Sequence, residues 1–355
     1  MREITDRWER ALASGARLGE GARWDETSGL LYWVDIQSHE VHRFDPASGK
    51  DEFFRLWDTV GMIALTNGTQ LVAAVGPSVF VIDEVDAAFA SSGATGHQQP
   101  TPAAIERDDP RVRLLAPLDD PSKKTRANDG VVDPAGRLFV GTMSLIREEG
   151  AGSLYRLSSL KADVGADDTA PTGGTDNTVA ADGSGAAGAT RAAQNATVDH
   201  VAGGIGVSNG IGWNPDQTRM YYIDTHTHRV DVFDYDRATG AVSNRRPFIT
   251  VPEELGRPDG MTTDAQGDLW VAMWQGDAVT HWSGETGELI EVFRLPAARI
   301  TSVAFGGPEF RDLYATSAAD DQENPPGPGD HEPKGGDLFV IRDVGPGAPG
   351  FRFAL

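Results

Sequence analysis

One pattern recurs through this chain at a long period, and few architectures accommodate it. Four stretches align when each is started at a polar residue followed by glycine: EGARWDETSGLLYWVD from Glu20, DGVVDPAGRLFVGT from Asp129, NGIGWNPDQTRMYYID from Asn209 and DGMTTDAQGDLWVAM from Asp259. Each reads as a short strand, a turn cluster and a second strand rich in aromatic and branched residues. The turn clusters are Asp25 to Gly29, Asp133 to Gly136, Asn214 to Asp216 and Asp264 to Gly267. A third strand of alternating polarity follows, as in EVHRFD and RVDVFDY, and tails such as ELIEVFRLP supply a fourth. Weaker copies start at Gly61 and Thr301, which makes six units. A supersecondary unit repeated at about 40–50 residues, four strands at a time, predicts an all-β, six-bladed β-propeller built of antiparallel blades. A β-sandwich offers no reason for so long a period.

Two segments stretch the spacing. Residues 86–112 are expected between the second and third units. Residues 162–190, ADVGADDTAPTGGTDNTVAADGSGAAGAT, are low in complexity and carry no basic residue, so they are expected to be a flexible surface loop inside the third blade. The whole of 1–355 is therefore expected to be one propeller domain.

Composition removes several chemistries. The 355 residues include no cysteine, so disulfides, thiolate catalysis and cysteine-bound metals are excluded. A formal charge of −22 repels nucleic-acid phosphates and anionic membrane surfaces, so neither is an expected partner. No run approaches the roughly 20 apolar residues of a membrane span. The first stretch, MREITDRWERALASGARLGEG, mixes charge with apolar residues and lacks a secretory core, so a cytoplasmic protein is expected.

In a propeller the innermost strand of each blade runs along the central channel, and its first residues face one mouth. The repeat frame places Glu20, Asn209 and Asp259 at equivalent starting positions. Two carboxylates and an amide oxygen converging on one point suit a hard divalent cation, calcium first. Magnesium, manganese, zinc and iron(II) stay open as alternatives. The competing reading of each pair, Asp-Gly or Asn-Gly as a simple turn, weakens when three share one phase. His226 and His228 in DTHTHRVD mimic a His-x-His metal pair but read as surface histidines at a hairpin, with Thr225 and His226 within reach of the channel mouth. His39 and His42 in SHEVH lack the helical spacing of a zinc protease and read as strand. No Gly-x-Ser-x-Gly elbow supports serine hydrolysis.

The stretches GEGARWDETSGLLYWVDI, RANDGVVDPAGRLFVGTM, SNGIGWNPDQTRMYYID and PDGMTTDAQGDLWVA, in this order, resemble the senescence marker protein/regucalcin family of sugar lactonases, which includes gluconolactonases. The resemblance covers nearly the whole chain outside the two insertions. It implies one divalent metal in the channel, held by Glu20, Asn209 and Asp259. It also implies that the arginine and asparagine of R-x-N-D-G, here Arg126 and Asn128, bind substrate. The repeat frame nominates Asp129 instead. Residues two apart in a strand share a face, so Arg126 and Asn128 are expected to point into the channel and Asp129 to turn away as a structural residue.

The implied reaction is metal-assisted opening of a sugar lactone to its aldonic acid. The cation would act as Lewis acid on the carbonyl, and Asp259 would manage the water proton. Met143 and Trp274 are expected to line the pocket. A glutamate that some relatives place after GTM is replaced by Ile146, which bears on which sugar is preferred. The alternatives are a calcium-binding regulatory propeller without turnover, and an organophosphate or aryl-ester hydrolase on the same scaffold. A small sugar lactone is the expected partner, for a monomer or weak homo-oligomer.

Overall fold

In a computed structural model, which describes residues 2–90, 103–159, 190–192, 196–321 and 334–355, the strands form six separate sheets. Each sheet is one blade, and the expected six-bladed β-propeller is the observed fold. The innermost strands, in blade order, are Gly19–Asp25, Val60–Leu65, Thr125–Val132, Ser208–Trp213, Arg257–Thr263 and Ile300–Gly306. They pack side by side around the channel.

The turn clusters of the repeat close the first hairpin of four blades, the first, third, fourth and fifth, by the same chemistry. The side-chain oxygen of Asp25, Asp133, Asn214 or Asp264 accepts backbone N–H groups two to five residues on. A short acceptor in the turn takes over bonds that the ladder cannot supply.

The second strands are apolar on both faces because each face meets another blade. In Leu30–Asp35, Tyr32 and Val34 pack towards the second blade while Leu31 and Trp33 pack towards the sixth. Alternate residues of a strand face opposite sides, so a run such as LLYWV serves two interfaces at once. Six buried apolar clusters result, one between each pair of neighbouring blades.

The ring is closed by its own amino-terminal segment. Trp8–Leu12 pairs antiparallel with Leu338–Ile341 as the outer strand of the sixth blade, and Arg2–Ile4 adds in parallel to the outside of the fifth. The expectation for residues 86–112 is corrected. Val112–Pro117 is the outer strand of the second blade, so in sequence the segment interrupts that blade before its last strand instead of separating two blades. Part of it, Ala103–Ile105, pairs in parallel with the outer strand of the first blade. The loop expected at 162–190 falls almost wholly outside the described residues. It enters after Gly152–Ser159 and returns into Ala196–Ile205, both of the third blade.

The carboxyl-terminal segment crosses the end of the channel at which the inner strands finish. Gly347 bridges to Asp264, Arg352 donates to Asp25 Oδ1 at 2.5 Å and to Thr66 O at 3.0 Å, and the Phe353 amide reaches Leu65 O at 2.8 Å. Ala354 N bonds Gly136 O at 2.9 Å. One short segment thereby ties the fifth blade to the first, second and third.

The SHEVH segment, expected as strand, is strand only from Glu40: Ser38 and His39 lie in the preceding turn, His39 with φ 61°, whereas His42 is buried on the strand Glu40–Asp45. Its ring stacks on Trp33 at 3.8 Å, Nδ1 donates to Asp51 Oδ2 at 2.7 Å, and Nε2 lies 3.4 Å from Glu40 Oε2. Burial alone would lower its pKa, but the charges of Asp51 and Glu40 outweigh burial and push it up to about 9. A group whose folded pKa is raised stabilises the fold fully below its unfolded value, here 6.5, and loses that contribution as pH rises through 9. The stability difference between the parent and His42→Gln should therefore shrink between pH 6 and pH 9.5, by on the order of 2–3 kcal/mol. Urea unfolding at both pH values reads this directly. A difference independent of pH would contradict the ion cluster.

Candidate active site in the channel

All six inner strands lose register with the second strand near the same level of the channel. The breaks fall between Glu20 and Arg23, Val60 and Met62, Ala127 and Gly130, Ser208 and Ile211, Pro258 and Met261, and Ile300 and Ser302. A β-bulge re-aims the side chains it carries, and Glu20, Asn128, Asp129, Asn209 and Asp259 sit on or within these bulges. The glycines after Asn209 and Asp259 serve close packing, whereas Gly21 after Glu20 takes a positive φ of 60°. A Cβ on Gly210 would meet Met261 N at 2.6 Å, and one on Gly260 would meet Thr301 O at 2.7 Å, each on the next blade. Any larger residue would push the inner strands apart at the level of the site.

Every sequence-nominated ligand and substrate residue is buried here: Glu20, Arg126, Asn128, Asn209 and Asp259. Asn128 Nδ2 donates to Asn209 Oδ1 at 3.1 Å and to Ser208 O at 2.9 Å. Arg126 Nη1 donates to Asn128 Oδ1 and to Ala127 O, both at 2.8 Å. Among the described residues, the buried Asp259 Oδ1 has no hydrogen-bond partner.

The alternation expected for residues 126–129 does not extend across the bulge. Asp129 is buried like Asn128, and its charge acts on both Glu20 and Asp259. It bonds the Gly130 amide at 2.7 Å and meets Arg23 Nη2 at 3.4 Å. Asp129 is thus buried and adds its charge to the surroundings of Glu20 and Asp259, while its own bonds go to the Gly130 amide and Arg23.

The electrostatics follow from this crowding. Burial, then the charge of Asp129, pushes the Glu20 carboxyl up to about 8. Burial, then Glu20 and Asp129, raises Asp259 well above the usual carboxylate range. Burial raises Asp129 as well, against the opposing pull of Arg23. Arg126 is lowered to about 10 by burial, with Glu20 holding it up in part. Three buried carboxylates face too little positive charge, and like charges packed together disfavour ionisation. A cation is what this set lacks, and an all-oxygen donor set with an unpartnered Asp259 Oδ1 fits a hard divalent ion.

Met143 and Trp274 are half-buried at the same mouth, paired across their hairpins with Arg126 and Arg257. The Arg299 guanidinium stands 5.2 Å over the Trp274 ring. Leu145 and Ile146 follow Met143 and are exposed, in a turn held by Ser144 Oγ accepting the amides of Ile146 and Glu148. His226 and His228 lie on and just after a 3₁₀ turn, Thr225–Thr227, rather than on a strand. Thr225, in contrast, is buried and bonds Asn209.

Two further features lie away from this cluster. A cavity of about 400 Å³ occupies the far end of the channel, lined by Trp24, Ile211, Trp213, Met261 and the crossing terminal segment. None of the five nominated residues lines it. Asp264, Asp268 and His281 bring ligand-type atoms within 4.8 Å of one another. Asp264 already accepts two backbone amides and Trp270 Nε1, and His281 stacks on Trp270 as His42 does on Trp33. The same cross-strand Trp–His pair set among carboxylates in two blades reads as a structural ion cluster.

A six-bladed propeller with a buried, all-oxygen, acidic cluster in its channel defines the class of protein. The family model described as SMP-30/gluconolactonase/LRE-like region matches residues 18–176 and 162–319. Pentonolactonase XacC of Haloferax volcanii is 32% identical over 345 residues, covering 97% of each chain. Human regucalcin is 30% identical over 342 residues, covering 95% of this chain and 94% of its own. The solved structure of a luciferin-regenerating enzyme superposes with a TM-score of 0.74 at 28% identity, covering 98% of this chain and 99% of that one. The chain belongs to the SMP-30/gluconolactonase/LRE-like family.

Among the described residues, no helix is long and apolar enough to cross a membrane.

Proposed function

We propose that this protein is a divalent-metal-dependent sugar lactonase, opening a gluconolactone- or pentonolactone-type substrate to its aldonic acid. The observation that carries the reading is the charge-unbalanced oxygen cluster, with its unpartnered Asp259 Oδ1, set directly beside a buried arginine–asparagine pair. An ion site alone has no use for that arginine. The 32% identity to a pentonolactonase over nearly the full length supports the same class of ester.

Glu20, Asn209 and Asp259 would hold the metal, calcium before the other divalent ions. A bound cation supplies Lewis-acid polarisation of the lactone carbonyl and charge at the developing oxyanion. Arg126 spends Nη1 on Ala127 O and Asn128 Oδ1, which leaves its Nε and Nη2 hydrogens to bind sugar hydroxyls. Asn128 fixes the arginine in that pose. Asp259 takes the proton of the attacking water and returns it to the ring oxygen as the carbon–oxygen bond breaks. Water adds across the ester, so the product is the hydroxy acid and no other reactant is needed. Met143 and Trp274 would line the substrate pocket at this mouth of the channel.

A pH-indicator assay over a lactone panel tests this, run after chelation and again with single metals restored. Metal-restored opening above the spontaneous rate is expected for at least one sugar lactone, and none with any metal would end the enzyme reading. Arg126→Ala should raise KM by roughly tenfold or more while the metal still binds, as loss of one charged hydrogen bond to substrate implies. Loss of metal in that variant would contradict the role given to Arg126.

A further inference from the structure

Thr225 lies at the end of a hydrogen-bond chain whose direction can be worked out from its two termini. At one end, the Pro258 carbonyl can only accept, and Thr225 Oγ1 reaches it at 2.8 Å. At the other end, the Arg126 guanidinium can only donate, and it reaches Asn128 Oδ1 at 2.8 Å. Thr225 has a single hydroxyl hydrogen, and Pro258 takes it. The other Thr225 contact, to the Asn209 side chain at 2.7 Å, must then be donated by Asn209 Nδ2. Asn209 Oδ1 is thereby turned the opposite way, where it accepts from Asn128 Nδ2 at 3.1 Å. A flipped Asn209 would ask the threonine for a second hydrogen and would set two NH₂ groups face to face.

The threonine is itself held in place. It is buried, its amide bonds Val207 O at 3.0 Å, and the preceding Asp224 carboxylate accepts the amides of Gly206 and Val207 at 3.0 Å each. The chain also joins two blades, because Thr225 and Asn209 belong to the fourth while Pro258 lies on the fifth blade's inner strand, beside Asp259.

We infer that Thr225 is a positioning residue that locks the Asn209 amide with its oxygen toward the carboxylate cluster, and so sets the affinity of the cation site. This rests on Asn209 being a metal ligand, as proposed above. A partner that orients a ligand through its other atom typically changes metal affinity by about 10–100-fold when removed.

Calorimetric titration of the metal-free protein with calcium or manganese alone tests the assignment without any substrate. Thr225→Val should weaken binding by about tenfold or more, and Thr225→Ser, which keeps the hydroxyl, should stay within about threefold of the parent. Thr225→Ala takes the place of the valine variant if circular dichroism shows the latter unfolded. Asn209→Asp removes the amide that can flip, so adding Thr225→Val to it should cost less than about threefold. A valine variant that binds like the parent, or one that loses as much affinity in the Asn209→Asp background, would overturn the role of Thr225 alone. A parent that binds neither cation would overturn the metal reading, and this inference with it.

Discussion

Asp259→Ala is expected to lower metal-dependent lactone opening by about a thousandfold or more, because one side chain is assigned two duties there, ligand and proton carrier. Asn209→Ala should also abolish metal-dependent turnover, but it touches only the first duty. Asp259→Asn separates the two in a second way, since it keeps an oxygen ligand and removes the base. The amide variant should retain measurable metal binding while turnover falls nearly as far as in the alanine variant. Its metal-free form should melt at a higher temperature than the metal-free parent. Asp259 is buried, its Oδ1 has no partner, and Glu20 and Asp129 oppose its charge. Removing a charge from that cluster relieves a cost that the parent carries for function. Thermal melts with and without chelator, beside steady-state rates, decide the matter. An Asp259→Asn protein that turns over like the parent would remove Asp259 from the proton path, and one that melts lower without metal would contradict the crowded cluster.

How much of this was legible in the sequence depends on which rule each residue obeys. The blades were legible because four of the six copies repeat the same hairpin chemistry, an Asx turn followed by a strand that is apolar on both faces. Asp25, Asp133, Asn214 and Asp264 are visible in the sequence for the same reason that they work in the fold. Residues Glu20, Asn209 and Asp259 were legible through phase alone, since equivalent positions in a propeller converge. Asp129 is harder to read, because the register break between Ala127 and Gly130 suspends the strand alternation that would turn it away from Asn128. The polar residue–glycine pair marks that bulge at Glu20, Asp129, Asn209 and Asp259, and this recurrence is the signal that could have corrected the reading. Thr225 was only half visible. Its place near the mouth follows from the repeat, but the bond to Asn209 depends on a 3₁₀ turn that no periodicity announces. The outer strand Val112–Pro117 follows a long break in the pattern, so the sequence places 86–112 between blades, whereas sheet pairing returns that strand to the second blade.

Phe353→Ala should destabilise the protein by about 3–5 kcal/mol, the range for emptying a fully buried phenylalanine site. The sequence around it, GPGAPGFRFAL, carries no strand period and reads as a loose end. Its contacts say otherwise. Phe353 is fully buried in the cluster between the second and third blades, bridged to Thr66 and bonded through its amide to Leu65 O. Arg352 beside it pairs with Asp25 and Glu26 of the first blade. A propeller is closed around its ring only by packing between neighbours and by the shared sixth blade. A segment bonded to the fifth, first, second and third blades therefore braces contacts that would otherwise be made pairwise. Arg352→Ala, which leaves the aromatic anchor in place, should cost far less, about 1 kcal/mol, because its partners are only partly shielded from water. Denaturant unfolding of the two variants orders these effects. Equal losses would mean that charge rather than the buried ring holds the segment, and a Phe353→Ala protein as stable as the parent would mean that the segment merely lies across the channel.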